Sequence, residues 1–286
     1  MARYVIITPV RNEAQRIEKT ADAIVNQTIR PTAWVIVDDG SQDGTAEITG
    51  RYAQRYPWIS VIRRKDRGFR EPGKGVIEAF YDGYQFVQSV DWDYLVKFDG
   101  DLSIRPDYFE KCFERFDQSP ELGIGGGLVR EPGQEAVMTC SHPLFHVRGA
   151  TKIYRRACWE SIGGLIKAPG WDTLDEVKAN MLGWKTRTFV EIEVHQLKHT
   201  GSADGVWQDM SKNGFANYIM GYHPLFLLGK CVKRMLHRPY LVGGAALLCG
   251  YIRGYFKRSP RVDQAVIKYV RRQQLQRILG KESIWK

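Results

Sequence analysis

No stretch of this 286-residue chain holds the roughly 18–20 consecutive apolar residues that a spanning helix needs. The longest apolar run, residues 240–252, stops at 13. Cysteine is scarce as well. Cys112, Cys140, Cys158, Cys231 and Cys249 are scattered, odd in number and never spaced as C-x-x-C. That excludes a disulfide framework and a cysteine zinc site, and it predicts reduced thiols in a cytoplasmic protein. The opening residues, MARYVIITPVRNEA, lack the basic-then-apolar layout of a leader peptide and read as a strand entering a turn. Internal repeats and low-complexity tracts are also missing. Acidic residues run short in one region only. Residues 257–286 carry nine Lys and Arg against Asp263 and Glu282, a net of +7. Residues 230–286 reach +12, which leaves residues 1–229 at −2 within a total of +10. Such asymmetry points to an anionic partner for the C-terminal region, a membrane surface or a nucleic acid. The plain alternative is a solvated basic helix face.

What is present reads as an α/β protein. RYVIIT (3–8), AWVIVDD (33–39), WISVIRR (58–64) and DYLVKFDGD (93–101) are short runs, rich in β-branched residues, of the kind that form buried parallel strands. Helical patterns separate them, the first carrying Ala14, Ile17, Ala21, Ile24 and Val25 on one stripe. Strand–helix alternation with short connections predicts a parallel, doubly wound sheet that binds ligands at the carboxyl ends of its strands. Residues 121–200 are less regular. LGIGGGLV, GATKIYRR and TRTFVEIEV read as strands; ACWESIGG and DEVKANMLG read as helices. From about residue 215 the chain turns to apolar and aromatic segments with basic flanks.

One stretch, GFREPGKGVIEAF (68–80), comes within one residue of a phosphate-binding P-loop. Gly68, Gly73 and Lys74 stand in place, but Gly75 replaces the Ser or Thr whose hydroxyl would hold Mg²⁺. The acids supply another route to a nucleotide. Asp38 and Asp39 end the second strand, and Asp99 and Asp101 follow the fourth as D-G-D. Carboxylates one residue apart at a buried strand's end suit a hard cation, Mg²⁺ or Mn²⁺, shared with substrate phosphates.

VIITPVRNEAQRIEKTADAIVNQT, then WVIVDDGSQDGT, then FDGD resembles the inverting family-2 glycosyltransferases. The resemblance is strong over residues 3–105 and extends more weakly to about 200 through YRRACWESIGG and GWDTLDEVKANMLGWKT. It implies the GT-A fold, a Rossmann-like and mostly parallel sheet with helices on both faces. The expected domains are a catalytic unit over 1–214, with a nucleotide-binding half (1–105) and an acceptor half (106–214), followed by a helical basic extension over 215–286. It implies transfer of a hexosyl or N-acetylhexosaminyl group, with inversion, from a UDP-linked sugar to a glycan or lipid-linked acceptor, with Mn²⁺ or Mg²⁺ as cofactor.

The resemblance also implies roles for individual residues. Thr8, Pro9 and Glu13 line the nucleotide pocket, and Asp39 accepts from the base. Asp99 meets ribose or metal, and Asp101 holds the metal against the diphosphate. PGKG becomes a donor-binding loop in which Lys74 offsets phosphate charge, with glycines allowing close approach. The general base is an acid ahead of Gly183-Trp184. Asp172 has the family spacing, but WD replaces the usual ED, and Asp175 lies within the next turn. Acids here also suit a helix N-terminus without any catalysis. His199 is a second metal ligand by position, and Arg155 and Arg156 are placed toward acceptor or phosphate. Acceptor pockets are expected in loops near 125–150 and 200–225.

Two rival readings remain. A sugar nucleotidyltransferase would carry G-x-G-x-R after its first strand, and TPVRNEA does not. A basic membrane- or nucleic-acid-binding module with an inactive catalytic domain would not need intact DDGS and DGD. For residues 215–286 the favoured partner is an anionic membrane at the inner face of the cell membrane. Packing on the catalytic domain or a homodimer interface is the alternative, and nucleic acid is the least favoured partner.

Overall fold

The computed structural model describes residues 2–68, 73–133, 142–199 and 205–285. The nucleotide-binding half runs β1 (Tyr4–Val10), α1 (Ile17–Val25), β2 (Ala33–Asp38), α2 (Thr45–Arg55), β3 (Ile59–Arg63), α3 (Lys74–Val87) and β4 (Tyr94–Phe98). Every residue of β1 and β4 is buried, as expected of central strands covered on both faces. The side chains of β1 and β2 alternate between two cores. Tyr4, Ile6, Trp34 and Ile36 face one, and Val5, Ile7, Val35 and Val37 face the other with Phe80 of α3.

The remaining elements are β5 (Leu102–Ile104), α4 (Tyr108–Asp117), β6 (Leu122–Arg130), β7 (Thr151–Arg155), α5 (Arg156–Ile162), α6 (Trp171–Met181) and β8 (Lys185–Gln196), followed by four helices. All strands described join one sheet in the order β3-β2-β1-β4-β7-β6-β8-β5. Pairs β1–β2, β1–β4, β2–β3 and β6–β8 are parallel, while β4–β7, β6–β7 and β5–β8 are antiparallel. The mostly parallel α/β expectation holds, with each antiparallel pair involving a strand of the second half.

The four helices are α7 (Gly205–Ile219), α8 (Pro224–Met235), α9 (Val242–Phe256) and α10 (Gln264–Ile278). The expected domain boundary at 214/215 falls inside α7. A third core joins Leu174 and Val177 of α6 to Tyr218, Leu227, Leu247 and Val270, so these helices pack on the acceptor half. Helices α7 and α9 touch backbone to backbone. A Cβ on Gly214 would lie 1.9 Å from the Leu247 carbonyl oxygen, and one on Gly250 would lie 1.9 Å from that of Ser211. Among the described residues no helix is long and apolar enough to cross a membrane. Cys112, Cys158, Cys231 and Cys249 are free thiols, and Cys140 lies outside the described residues.

Candidate active site

The loop after β1 and the loop after β2 are laced together, which accounts for the polar residues in both motifs. Asn12 donates its backbone N–H to Ser41 Oγ at 2.9 Å, and its Oδ1 accepts from the Gln42 N–H at 2.9 Å. The Glu13 N–H reaches Thr45 Oγ1 at 2.8 Å, and Asp38 Oδ1 accepts from the Ser41 N–H at 2.8 Å. Arg11 bonds the Asp39 carbonyl and, at 2.6 Å, Asp66. The Gly68 N–H, Arg11 and Gln42 together hold the Asp66 carboxyl down at about 2. Gly40 must be glycine twice over: its φ is +76°, and a Cβ would meet Asp66 Cα at 2.5 Å.

Within this frame Thr8 is fully buried, its hydroxyl accepting from Trp34 Nε1 at 2.9 Å. Pro9 pairs with Val37 inside the sheet. Asp39 is buried at the edge, between two guanidinium groups: Arg64 grips Oδ1, and Arg67 holds Oδ2 at 2.5 Å. Lys74 opens α3, half exposed, 3.5 Å from Glu78. Residues 69–72 of the expected donor loop lie outside the described residues.

The D-G-D acids follow β4. Asp99 pairs with Lys97, which also donates to the Gly149 carbonyl at 2.5 Å. Burial pushes the Asp99 carboxyl up, against the pull of Lys97. Asp101 is almost fully buried, and its Oδ2 accepts from Gln196 at 3.3 Å and faces Lys198 Nζ at 3.4 Å. Lys198 also grips Glu13, so one ammonium spans two carboxylates. Burial raises the Glu13 carboxyl, Lys198 opposes the rise, and Glu13 Oε2 has no hydrogen-bond partner although buried.

Among the described residues no group of three or more His, Cys, Asp and Glu gathers as a metal cage. Mg²⁺ and Mn²⁺ do not need one, because one or two carboxylates suffice when phosphates complete the shell. Two hard oxygen donors at one strand end, beside a Glu13 Oε2 that makes no hydrogen bond and lies 3.6 Å from Arg16, fit that mode. His199 is exposed and directs Nδ1 toward Glu131 at 3.7 Å. A polar chain runs back from there: Glu131 to Arg148 at 3.0 Å, Arg148 to Gln196 at 3.3 Å, and Gln196 to Asp101.

The two acids of α6 sit in opposite surroundings. Asp175 accepts from Lys152 Nζ at 2.8 and 3.0 Å and from Tyr154 Oη at 2.5 Å, in a spot closed to solvent. Burial pushes its carboxyl up to about 6 despite Lys152. Glu176, also closed off, accepts from the Val147 N–H at 2.7 Å and meets His146 Nδ1 at 2.8 Å and Lys152 at 2.7 Å. Asp172 lies only partly buried in the first turn of α6, and its backbone carbonyl accepts from Lys152. It lies against Gly149, whose carbonyl holds Lys97: a Cβ on Gly149 would come within 3.1 Å of Asp172 Cβ. The neighbouring Trp171 ring lies under Lys97 at 5.4 Å.

A cleft of about 710 Å³ opens next to Trp171, between Gly73 at the start of α3 and helices α7 and α9. Trp207, Phe215, Arg253 and Lys257 line its far side. Of the expected acceptor loops, residues 134–141 and 200–204 lie outside the described residues. Arg155 and Arg156 are not at this site. Arg155 pairs with Tyr94 at the start of β4, the end away from Asp99, and binds the carbonyls of Leu122 and Phe116. Arg156 stacks on Trp92 at 4.9 Å. Sequence reasoning missed Lys198, although it adjoins His199, and missed Arg64 and Arg67, which belong to no motif.

The profile of the family described as Glycosyl transferase family 2 matches residues 5–166. A cholesterol galactosyltransferase of Borreliella burgdorferi is 30% identical over 105 residues, 36% of this chain and 26% of that protein. Glycosyltransferase AglE of Haloferax volcanii is 34% identical over 89 residues, 27% of this chain and 29% of that protein. The chain thus matches little more than a quarter of either relative. In fold it is similar to the mannosyltransferase PcManGT from Pyrobaculum calidifontis in complex with GDP-Man and Mn²⁺. That match has a TM-score of 0.62 at 16% identity and covers 90% of this chain and 88% of that one. Staphylococcus aureus TarS 1–349 in complex with UDP-GlcNAc gives 0.55 at 15% identity, covering 90% and 73%. Those likenesses establish the GT-A fold, and the profile covers more than half of the sequence, including both acidic motifs; the chain belongs to glycosyl transferase family 2.

Proposed function

We propose that this protein transfers a sugar, with inversion, from a nucleoside diphosphate sugar to a hydroxyl acceptor. The observation that carries the reading is that Glu13, Asp39, Asp99 and Asp101 follow the carboxyl ends of β1, β2 and β4, with Lys198 joining Glu13 to Asp101 and Asp172 packed against Gly149. Ligands bind at that edge of such sheets. Asp39, with its two arginines, marks the base end of the donor. We assign uracil there because the V-D-D-G-S pattern resembles UDP-using members; the solved relatives themselves hold a GDP-sugar in one case and a UDP-sugar in the other. Lys74 and Lys198 supply positive charge toward the diphosphate.

Asp101, with Asp99, would hold Mn²⁺ or Mg²⁺, and the cation when bound would neutralise charge on the departing diphosphate. Asp172 takes the proton of the acceptor hydroxyl. The acceptor oxygen then bonds to the anomeric carbon as the bond to the diphosphate breaks, and a single displacement inverts that carbon. Asp175 is unsuited to this proton transfer, because its oxygens are spent on Lys152 and Tyr154 away from solvent. The cleft beside Trp171 is the acceptor entrance, for a glycan or a lipid-linked saccharide. The solved relatives are consistent with donor use of this kind.

The test is a screen of UDP- and GDP-sugars for slow hydrolysis with Mn²⁺, which needs no acceptor. Release of nucleoside diphosphate from one donor, abolished by EDTA and by Asp101→Ala, supports the reading. Metal-dependent binding of neither UDP nor GDP would overturn it.

A further inference from the structure

Helix α8 is apolar on two faces. Leu227 and Cys231 point into the third core. Leu225, Leu228, Val232 and Leu236 recur every three or four residues and are 61%, 54%, 52% and 71% exposed. That spacing is one stripe of a helix. In the turn leading to α9 it continues into Tyr240 and Leu241, 60% and 66% exposed. Single exposed leucines are ordinary on a protein surface, but a contiguous stripe of six marks a contact face.

The charge along the chain that carries the stripe is of one sign. From residue 210 to residue 262 there is no Asp or Glu, against nine Lys and Arg. Lys233 and Arg238 are exposed beside the stripe. An apolar ridge on a chain segment whose only charges are cations is the composition of a helix lying in a bilayer interface, apolar face down and cations at anionic headgroups. A second copy of this chain meeting the same face would bring like charges together around the two-fold axis, which opposes that occupant.

We propose that the outer face of α8 and the α8–α9 turn dock on an anionic lipid surface without crossing it. Helices α7, α9 and α10 supply the support, sharing the third core with α6. Helix α9 also carries Arg253, with Lys257 just beyond it, to the cleft beside Trp171, so docking would bring that cleft near the lipid. The inference goes beyond the transfer reaction and does not depend on it.

The experiment is co-sedimentation of the full chain with phosphatidylglycerol vesicles and with phosphatidylcholine vesicles, at low and high salt, with light scattering of the lipid-free protein alongside. The chain is expected to pellet with the anionic vesicles at low salt and to bind neutral ones at least about tenfold more weakly. Leu228→Glu/Val232→Glu alters only exposed positions, so its melting curve is expected to match wild type while binding falls about tenfold or more. Lys233→Glu/Arg238→Glu, which leaves the apolar stripe intact, is expected to bind more weakly at low salt and to lose the salt dependence. Undiminished binding by either double variant would overturn the proposal. So would wild-type protein left in the supernatant with every vesicle, or a lipid-free dimer that the stripe variant dissociates.

Discussion

Two clusters of charge flank the same sheet and do different work. At the ends of β1, β2 and β4 the acids Glu13, Asp39, Asp99 and Asp101 face Lys97, Lys198, Arg64 and Arg67 along the carboxyl edge of the sheet. Under α6, Asp175 and Glu176 close on Lys152, with Tyr154 and His146 filling the remaining valences and no route to solvent. Residue type is the same in both places. Burial and completeness of pairing separate them. A fully satisfied buried network holds elements in register, here α6 against β7, and has no capacity left for a substrate.

The largest effect should come from breaking the closed cluster. Lys152→Met leaves two carboxylates buried without their cation and should cost about 3–5 kcal/mol of stability, read from urea unfolding. A loss under about 1 kcal/mol would remove the distinction between the clusters. Breaking the open cluster should instead spare the fold. Asp101→Ala is expected to lower donor hydrolysis by about 10²–10³ while changing stability by no more than about 1 kcal/mol. Full turnover of that variant in EDTA would contradict the metal assignment.

A gentler probe is pH. The folded-state carboxyl of Asp175 is raised to about 6, above its unfolded value near 4. Between those values the folded chain binds the proton more tightly, so this group weakens the fold as pH rises from about 4 to about 6. Asp175→Asn should remove that part of the slope in denaturation curves taken across the window, and matching slopes would count against it. The smallest effect is expected at Lys74, half exposed and 3.5 Å from Glu78. Lys74→Ala should weaken nucleotide binding by a few-fold, about 1 kcal/mol or less, in titration calorimetry. A complete loss would give the loop a central role in holding the donor.

The first half of the molecule was legible because its signals are local. β-branched runs mark buried strands, and the loop motifs carry the side chains that bond to one another. β5 was not legible, since three residues hold no periodicity and the strand exists through its pairing with β8. That the expected boundary at 214/215 falls inside α7 reflects the close contact of α7 with α9, which no local signal announces. At the site, DDGS and DGD could be read directly. Lys198 could not, because its partners Glu13 and Asp101 are remote from it in sequence. The choice between Asp172 and Asp175 was open for the same reason: what seals Asp175 is Lys152 and Tyr154 on β7.

Of two acids one helical turn apart, we propose that Asp172 acts in chemistry and Asp175 in structure. Donor affinity, donor hydrolysis and thermal unfolding of Asp172→Asn and Asp175→Asn test that division together. Asp172→Asn is expected to bind donor and unfold like wild type but to hydrolyse it about 10²–10⁴-fold more slowly, while folded Asp175→Asn keeps its turnover and shifts in stability. An active Asp172→Asn beside a folded but inactive Asp175→Asn would contradict it.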